Sequence, residues 1–407
     1  MYISCKELFQ QIYENYSLDL LAGQKGLSSL VTGCYTIEEP EDMTCIKIGS
    51  LVFASGLASH RTPNWLYRFL VSAKENHACA VVFEIGEHLK NTDFNQRALT
   101  YCEEHNLPLV VMKSREKKLR LSALYAKCEE YLHASEKIRL RLETALQAIH
   151  HTTPADAEHI SILEKAGFPL QDNYYVSAIS LSNETSHSAH STMDTLCFPD
   201  ISQDFSLYIV LSALKSIPLP TILYKHAGTT YVLYKCANTT FVKKFSQFIT
   251  IKYRNCFGDV PLHFGVSDSF SSLTDLAAAK KQAKTAMQLA ISKETPLLTY
   301  QDLGIFRIML TVSDLSPLKA YVNEQLGAVK AYDAKHSSDF SNTLYLYLLY
   351  TGSIQAVAKA SNCHRNTINH RIRMMKERMG YNLDDPQTRY ELLFAFLADE
   401  YCKMNDQ

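Results

Sequence analysis

The sequence predicts a multidomain chain, α/β and then α+β in its upstream parts and all-α at its C-terminal end. Three patterns carry that expectation. Over the first 115 residues, short β-branched runs alternate with helical stretches, as in a largely parallel sheet flanked by helices. Between 154 and 300, strands arranged about a glycine turn are interleaved with long helices. Residues 353–380 hold two helical apolar stripes separated by a three-residue corner. With 407 residues, 46% of them hydrophobic, the chain has enough apolar surface for several packed cores. Its formal net charge of −1 argues against a surface coated for nonspecific nucleic-acid binding and leaves room for a local basic site.

The N-terminus, Met-Tyr-Ile-Ser-Cys-Lys-Glu, lacks the regions of a signal peptide, and no apolar run approaches ~20 residues. A cytoplasmic protein without a membrane partner is therefore expected. The 11 cysteines include no Cys-x-x-Cys pair, which favours reduced and mostly buried thiols over disulfides or zinc.

In residues 1–115 a first helix covers 5–16, with turn signals at Gly23 and Gly26 in the stretch after it. Extended runs come next at 31–37, 50–54, 80–85 and 107–112, with helices at 65–76 and 95–105 between them. The run Cys79-Ala80-Val81-Val82-Phe83 reads as a sheet-centre strand. In open α/β sheets ligands sit beyond the carboxyl ends of strands, so Glu38, Ser55 and Gly56 are candidate effector-binding residues. A turn glycine and a surface glutamate are the competing reading. His60, His77, His88 and His105 have no metal-ligand spacing and read as structural or surface residues.

From Leu124 the residues Cys128, Tyr131, Ser135, Ile138, Leu142, Ala145 and Ile149 alternate spacings of four and three. Residues 116–153 are thus either a coiled-coil-like dimerising linker or a long helix docked on its own domain. The helix ends at 150–154, where Pro154 cannot continue it. Beyond it come a helix at 161–166, a strand at 174–181 and a polar loop at 183–195, whose His187 and His190 would chelate only if helical. Residues 205–216 are mixed. The runs 222–225 and 230–234 form a hairpin about Gly228, succeeded by a helix at 241–253, a strand at 262–267, a helix at 272–291 and a last run at 297–300.

Residues 303–310 and 317–332 read as connecting helices, 337–339 as a hinge-like polar stretch, and 343–350 as a helix that supports the pair at 353–380 from behind. Tyr345, Tyr347 and Tyr350 are read as packing residues. Ser353 caps a thin helix whose Ile354, Val357 and Ala358 face inward, and Ser361, Asn362 and Cys363 make the corner. In the second helix Ile368, Ile372, Met375 and Met379 face the core, and Gly380 stops it. A final helix begins near Pro386, with Leu392, Leu393, Phe396 and Leu397 on its buried face.

The outward residues of the second helix are Arg365, Asn366, Asn369, His370, Arg371 and Arg373, with Lys376 and Arg378 further along. Six basic residues between 359 and 378 face the single acid Glu377, so positive charge concentrates here in a nearly neutral chain. Arg pairs bidentately with guanine and Asn with adenine in the major groove, while later cations reach phosphates. A solvated basic face on an ordinary core helix is the alternative. The short first helix, the tight corner and the amides among the arginines favour DNA.

Several stretches resemble a known family. Thr343-Leu344, Ala356-Val357-Ala358-Lys359-Ala360, His364-Arg365-Asn366-Thr367-Ile368, His370-Arg371-Ile372 and Leu383-Asp384-Asp385-Pro386 look like the C-terminal helix-turn-helix of the PucR/CdaR class of bacterial transcription regulators. The place of the family's usual Tyr is taken by His370. Leu21-Ala22-Gly23, Gly26-Leu27, Glu38-Glu39-Pro40, Gly49 to Gly56 and Leu107-Pro108-Leu109 are similar to its N-terminal purine-catabolism-regulator domain. Gly265-Val266-Ser267, with the later run Ala277-Ala278-Ala279-Lys280-Lys281-Gln282-Ala283, is similar to its GGDEF-like middle domain.

The resemblance implies an effector domain at 1–115, a linker at 116–153 and a degenerate GGDEF-like domain at 154–300. A helical connector at 301–340 and a DNA-binding domain at 341–407 complete it. Arg365, Asn366, Thr367, Asn369, His370, Arg371, Arg373 and Lys376 would contact double-stranded DNA. A nucleotide cyclase needs carboxylates at its central hairpin to hold Mg²⁺, and the turn Ala227-Gly228-Thr229-Thr230 has none. The expectation is thus a regulator of a metabolic operon, not an enzyme, with neither cofactor nor metal. It would be a homodimer or homotetramer responding to a small-molecule metabolite. A nucleotide-binding or nucleotide-metabolising protein and a protein-interaction scaffold are the alternatives.

Overall fold

A computed structural model of the chain describes residues 2–13, 16–60, 63–113, 120–151, 157–181, 204–217, 219–236, 238–312 and 314–405. The polar loop at 183–195 with His187 and His190, and the predicted helix stop at Pro154, lie outside them. The chain divides into two compact units, 1–300 and 301–407.

The first unit begins with β1 (Ile3–Ser4) and α1 (Cys5–Ile12), where Ser4 and Glu7 form a capping box. Next come β2 (Leu18–Ala22), β3 (Leu30–Val31), β4 (Gly33–Thr36), β5 (Ser50–Ala54), α2 (Trp65–Glu75), β6 (Ala80–Ile85), α3 (Gln96–Glu104) and β7 (Leu109–Lys113). Their sheet runs β2-β7-β6-β5-β4. The pairs from β4 to β7 are parallel, as predicted, and β6 lies inside the sheet with residues 80–83 fully buried. Residues 18–22, read from sequence as part of a turn-rich stretch, instead add an antiparallel edge strand to β7.

The stretch read as a linker forms one long helix, α4 (Leu121–His151), whose two ends pack into different cores. Leu121, Leu124 and Cys128 sink into the core beneath the parallel sheet. Leu142, Ala145, Leu146 and Ile149 join a different core, among Leu163, Tyr174, Tyr224 and Leu233. The seam is therefore covered within the chain at both ends, while Ile138 in its middle is 53% exposed. Each buried Leu contributes about 1.5–3 kcal/mol relative to exposure. Both ends of this stretch are thus docked on cores of their own unit, which cover Leu124, Cys128, Leu142, Ala145 and Ile149 but leave Ile138 exposed.

The second half of the unit comprises α5 (Ala157–Lys165), β8 (Gln171–Ser180), α6 (Phe205–Lys215), β9 (Thr221–His226), β10 (Thr229–Lys235), α7 (Thr239–Phe257), β11 (His263–Val266), β12 (Phe270–Ser272), α8 (Leu276–Ser292) and β13 (Leu297–Thr299). Its sheet has the order β13-β11-β8-β10-β9, with β12 also on β8. The predicted hairpin is present, turning at Ala227 and Gly228, both at positive φ. Gly265 explains its own motif: a Cβ there would lie 2.0 Å from the Met287 nitrogen and 2.1 Å from the Ala283 carbonyl oxygen. Helix α8 sits directly on β11, which requires both the glycine and the small residues of the alanine run.

The second unit is helical: α9 (Phe306–Met309), α10 (Ser316–His336), α11 (Phe340–Leu349), α12 (Ile354–Ala360), α13 (Arg365–Arg378) and α14 (Pro386–Asn405). Helix α10 packs along α14. The Lys330 ammonium meets the Asp399 carboxylate at 2.6 Å, and the Tyr321 hydroxyl donates to the Glu391 carbonyl oxygen at 3.2 Å. Tyr381 donates to the Gln325 carbonyl oxygen at 2.9 Å and accepts from the Val329 N–H. Part of the stretch read as a connector, 301–340, is thus an integral wall of the helix-turn-helix unit.

The hinge-like residues 337–339 are also tied down. The Asp333 carboxylate accepts from the Ser338 hydroxyl and from the Phe340 and Ser341 N–H groups, each at 2.8 Å. Burial raises the Asp333 pKa, but these donors outweigh it and hold the carboxyl below its usual value.

Candidate nucleic-acid interface

Local chemistry accounts for the two helices and their corner. The Ser353 hydroxyl accepts from the Ala356 N–H at 3.3 Å and opens α12. The seven residues of α12 end at Ser361, and Asn362 takes a left-handed conformation at φ 50°. Asn tolerates this region because its short side chain bonds locally. His364 then caps α13, its Nδ1 accepting from the Asn366 N–H at 3.2 Å, so the ring proton of the neutral imidazole sits on Nε2. Val357 buries from α12, and Ile368, Ile372 and Met375 bury from α13. Ile354, Ala358 and Met379, predicted inward, are only half-buried.

The eight candidate DNA-contacting residues divide into two sets. Arg365, Asn366, Thr367, Asn369, His370 and Arg373 are exposed along α13. Asn366, Asn369 and Arg373 stand at helical spacings of three and four and so share one face, with Arg365 and His370 beside them. Arg371 turns inward instead. Its Nη1 donates to the Thr343 hydroxyl at 2.7 Å and to the Asp339 carbonyl oxygen at 3.2 Å, and its guanidinium lies 5.6 Å from the Phe340 ring centroid. Lys376 is held as well, bonding both Asp384 carboxylate oxygens at 2.7 and 2.8 Å.

Helical spacing was the signal that sequence reasoning passed over here. Arg371 comes three residues after Ile368 and four before Met375, and Lys376 comes four after Ile372, so both flank the inward stripe. The tyrosines behave mostly as packing residues. Tyr347 is buried, Tyr345 packs on Phe396 with ring centroids 5.3 Å apart, and Tyr350 is 42% exposed.

The second candidate cluster lies just past β4 and β5, where Glu38, Ser55 and Gly56 do come together. One Glu38 carboxylate oxygen accepts from the Ser55 N–H at 2.7 Å and the Ser55 hydroxyl at 2.8 Å, and the other accepts from the Leu57 N–H at 3.0 Å. The indole of Trp65 donates to the Glu38 carbonyl oxygen at 3.0 Å. Gly56 has φ 78°, and a Cβ there would lie 2.4 Å from Leu89. These residues fasten the loop after β5, and the carboxylate already carries three donors.

Among the histidines, His77 stacks on Phe205 with centroids 4.1 Å apart, and burial lowers its pKa, with Lys74 adding to the effect. His105 bonds the Tyr101 carbonyl oxygen at 2.9 Å. The ten described cysteines are free thiols, seven of them buried. Among the described residues no group of His, Cys, Asp and Glu is arranged to hold a metal, and no helix is long and apolar enough to cross a membrane.

Known proteins match at both ends of the chain. Residues 9–127 match the purine catabolism regulatory protein-like family, and residues 340–398 match the PucR C-terminal helix-turn-helix domain. The proline-responsive transcriptional activator PutR of Bacillus subtilis (strain 168) is 27% identical over 135 residues, 32% of this chain and 33% of that protein. The purine catabolism regulatory protein of the same organism is 25% identical over 157 residues, 38% of this chain and 28% of that protein. The chain thus spans about a third of the length of these curated relatives. Among solved structures, the regulator of polyketide synthase expression from Bifidobacterium adolescentis is 17% identical, covering 67% of this chain and 95% of that one, with a TM-score of 0.30. The chain thus carries a segment that matches the purine catabolism regulatory protein-like family at one end and one that matches the PucR C-terminal helix-turn-helix domain at the other.

Proposed function

We propose that the chain is a DNA-binding transcription regulator of a metabolic operon, acting as a homodimer or homotetramer whose upstream domains respond to a small metabolite. One observation carries the reading. The helix after the tight corner exposes Arg365, Asn366, Asn369, His370 and Arg373 on neighbouring positions, while Arg371 and Lys376 are tied to the protein. Arginine and amide groups along one exposed helix suit base edges in the major groove. Exposed Lys359 and Arg378 suit flanking phosphates. Two such helices in a dimer would read half-sites about 34 Å apart.

The test is retention of the DNA directly upstream of the gene by the purified full chain across a salt series. Steep salt dependence is expected, and Arg365→Ala with Arg373→Ala should abolish retention. Retention by the double variant equal to wild type would sink the assignment of this face.

Residues 154–300 are proposed to be a GGDEF-like domain that has lost its chemistry. The hairpin β9-β10 beside the first strand β8, and the close seat of α8 on β11, support this kinship. The hairpin turn carries Ala227 and Gly228 where metal-binding carboxylates would be needed. Formation of a cyclic dinucleotide from GTP by the purified chain would refute this reading and favour a nucleotide-metabolising protein.

A further inference from the structure

The first unit contains a cleft of about 230 Å³ that none of the family's matched motifs explains. Three separated stretches of chain build it. Tyr2 and Glu7 come from the N-terminus, Arg139 and Leu142 from the middle of α4, and Leu211, Leu214, Lys215, Ile217 and residues 219–223 from the end of α6 and the start of β9. The walls are mostly apolar, with Leu142, Leu211, Leu214, Ile217 and Leu219 among them. Small-molecule sites have this composition, an apolar bed with a few placed polar groups.

The charges at the cleft are unequally satisfied. The Lys215 ammonium is paired with Glu7, at 3.0 and 3.3 Å from its two carboxylate oxygens, and Glu7 also closes the capping box of α1. Arg139 is different. Its Nε is buried and has no hydrogen-bond partner among the described residues, while its Nη2 reaches the half-exposed Glu136 only at 3.4 Å. Its guanidinium lies 5.0 Å from the Tyr2 ring centroid, which holds the group over the cleft. A buried guanidinium N–H without an acceptor is costly, and a carboxylate is the acceptor its fork fits best.

We propose that this cleft binds a small monocarboxylate with an apolar body, the carboxylate on Arg139 and the body on the leucine and isoleucine wall. The inference rests on the effector-responsive reading above and gives it a place and a ligand chemistry. It also gives α4 a role, since the helix that carries Arg139 packs into the core beneath the parallel sheet at one end and into that of the second sheet at the other. A ligand that binds one arrangement of these elements better shifts the population toward it.

The test is calorimetric titration of the purified full chain, without DNA, using butyrate, isovalerate, benzoate and phenylacetate, with phenylacetamide as the uncharged control. At least one acid should bind saturably, with the amide about tenfold weaker or worse. Arg139→Met keeps the apolar stem over Tyr2 and should weaken the acid about tenfold without changing the amide. Ile217→Trp, at a half-buried wall position, should block both. Thermal unfolding of each variant reports whether it has folded. Absence of binding by all four acids, or binding unaffected by both substitutions, overturns the proposal. DNA retention is measured separately, so a chain that holds its promoter but no carboxylate fails here alone, and the converse result fails only the regulator reading.

Discussion

Helices α4 and α13 begin from similar sequence evidence and end differently. Each has an apolar stripe at helical spacing with charged residues around it, and each invites a partner outside the fold. In α4 the stripe was the attraction, and the fold itself covers its two ends, through Leu124 and Cys128 at one and Leu142, Ala145 and Ile149 at the other, leaving Ile138 between them exposed. In α13 the polar face was the attraction, and most of it stays exposed. An apolar stripe states only that something must cover it. A polar face left open is satisfied by water, so what points outward in α13 is its composition, arginines and amides together on neighbouring exposed positions.

Substitutions can break or sharpen this contrast. The largest effect is expected for Arg365→Ala with Arg373→Ala, where two base-reading contacts of about 1–3 kcal/mol each would vanish from promoter affinity, while the melting temperature stays near wild type. Leu146→Ala, fully buried on α4, should cost about 2–5 kcal/mol of stability in denaturant unfolding. Its failure to destabilise would reopen the question of how α4 is packed. Arg371→Ala should sit between the two classes. It removes the tether to Thr343, lowering stability by about 1–3 kcal/mol, and should leave the salt slope of DNA binding unchanged. A slope reduced by about one would return Arg371 to the phosphate-contacting set.

A smaller effect belongs to Asp333. Its folded pKa is depressed, so its contribution is complete above the unfolded value and is lost as pH falls through the folded one. Wild type should therefore lose stability below about pH 4 more steeply than Asp333→Asn. Equal acid profiles would mean that the cap on α11 does not depend on charge. The smallest change is expected for Ile138→Ser. The residue is half exposed, and its stability effect should stay within about 0.5 kcal/mol, with the oligomeric state in light scattering unchanged. Dissociation of an oligomer by this one change would show that α4 meets a second chain through its exposed middle.

Much of the fold was legible from residue order because its signals are local. The β-branched run 80–83 marked an inner strand, the hairpin showed in its glycine turn, and Ser353, the three-residue corner and Gly380 bracketed the two helices. The edge strand 18–22 was less visible, since its glycine-rich continuation resembled a turn and its partner β7 lies about 90 residues away.

The functional residues divide in the same way. Which side of α13 faces inward is a matter of period, so Ile368, Ile372 and Met375 could be assigned from their spacing alone. Whether a given cation on that helix is free depends on atoms outside the helix: the Thr343 hydroxyl for Arg371, and the Asp384 carboxylate in the following turn for Lys376. The cleft at Arg139 is the extreme case, because its walls join Tyr2 and Glu7 to Leu142 and, about 70 residues further on, to Leu211, Leu214 and Ile217. Residue order decided which stretches form helices and strands and which faces must be buried, since both derive from backbone geometry and side-chain period. Tertiary structure alone decided how each face is covered and which charges are left without a partner, since hydrogen bonds and packing are satisfied in space and not along the chain.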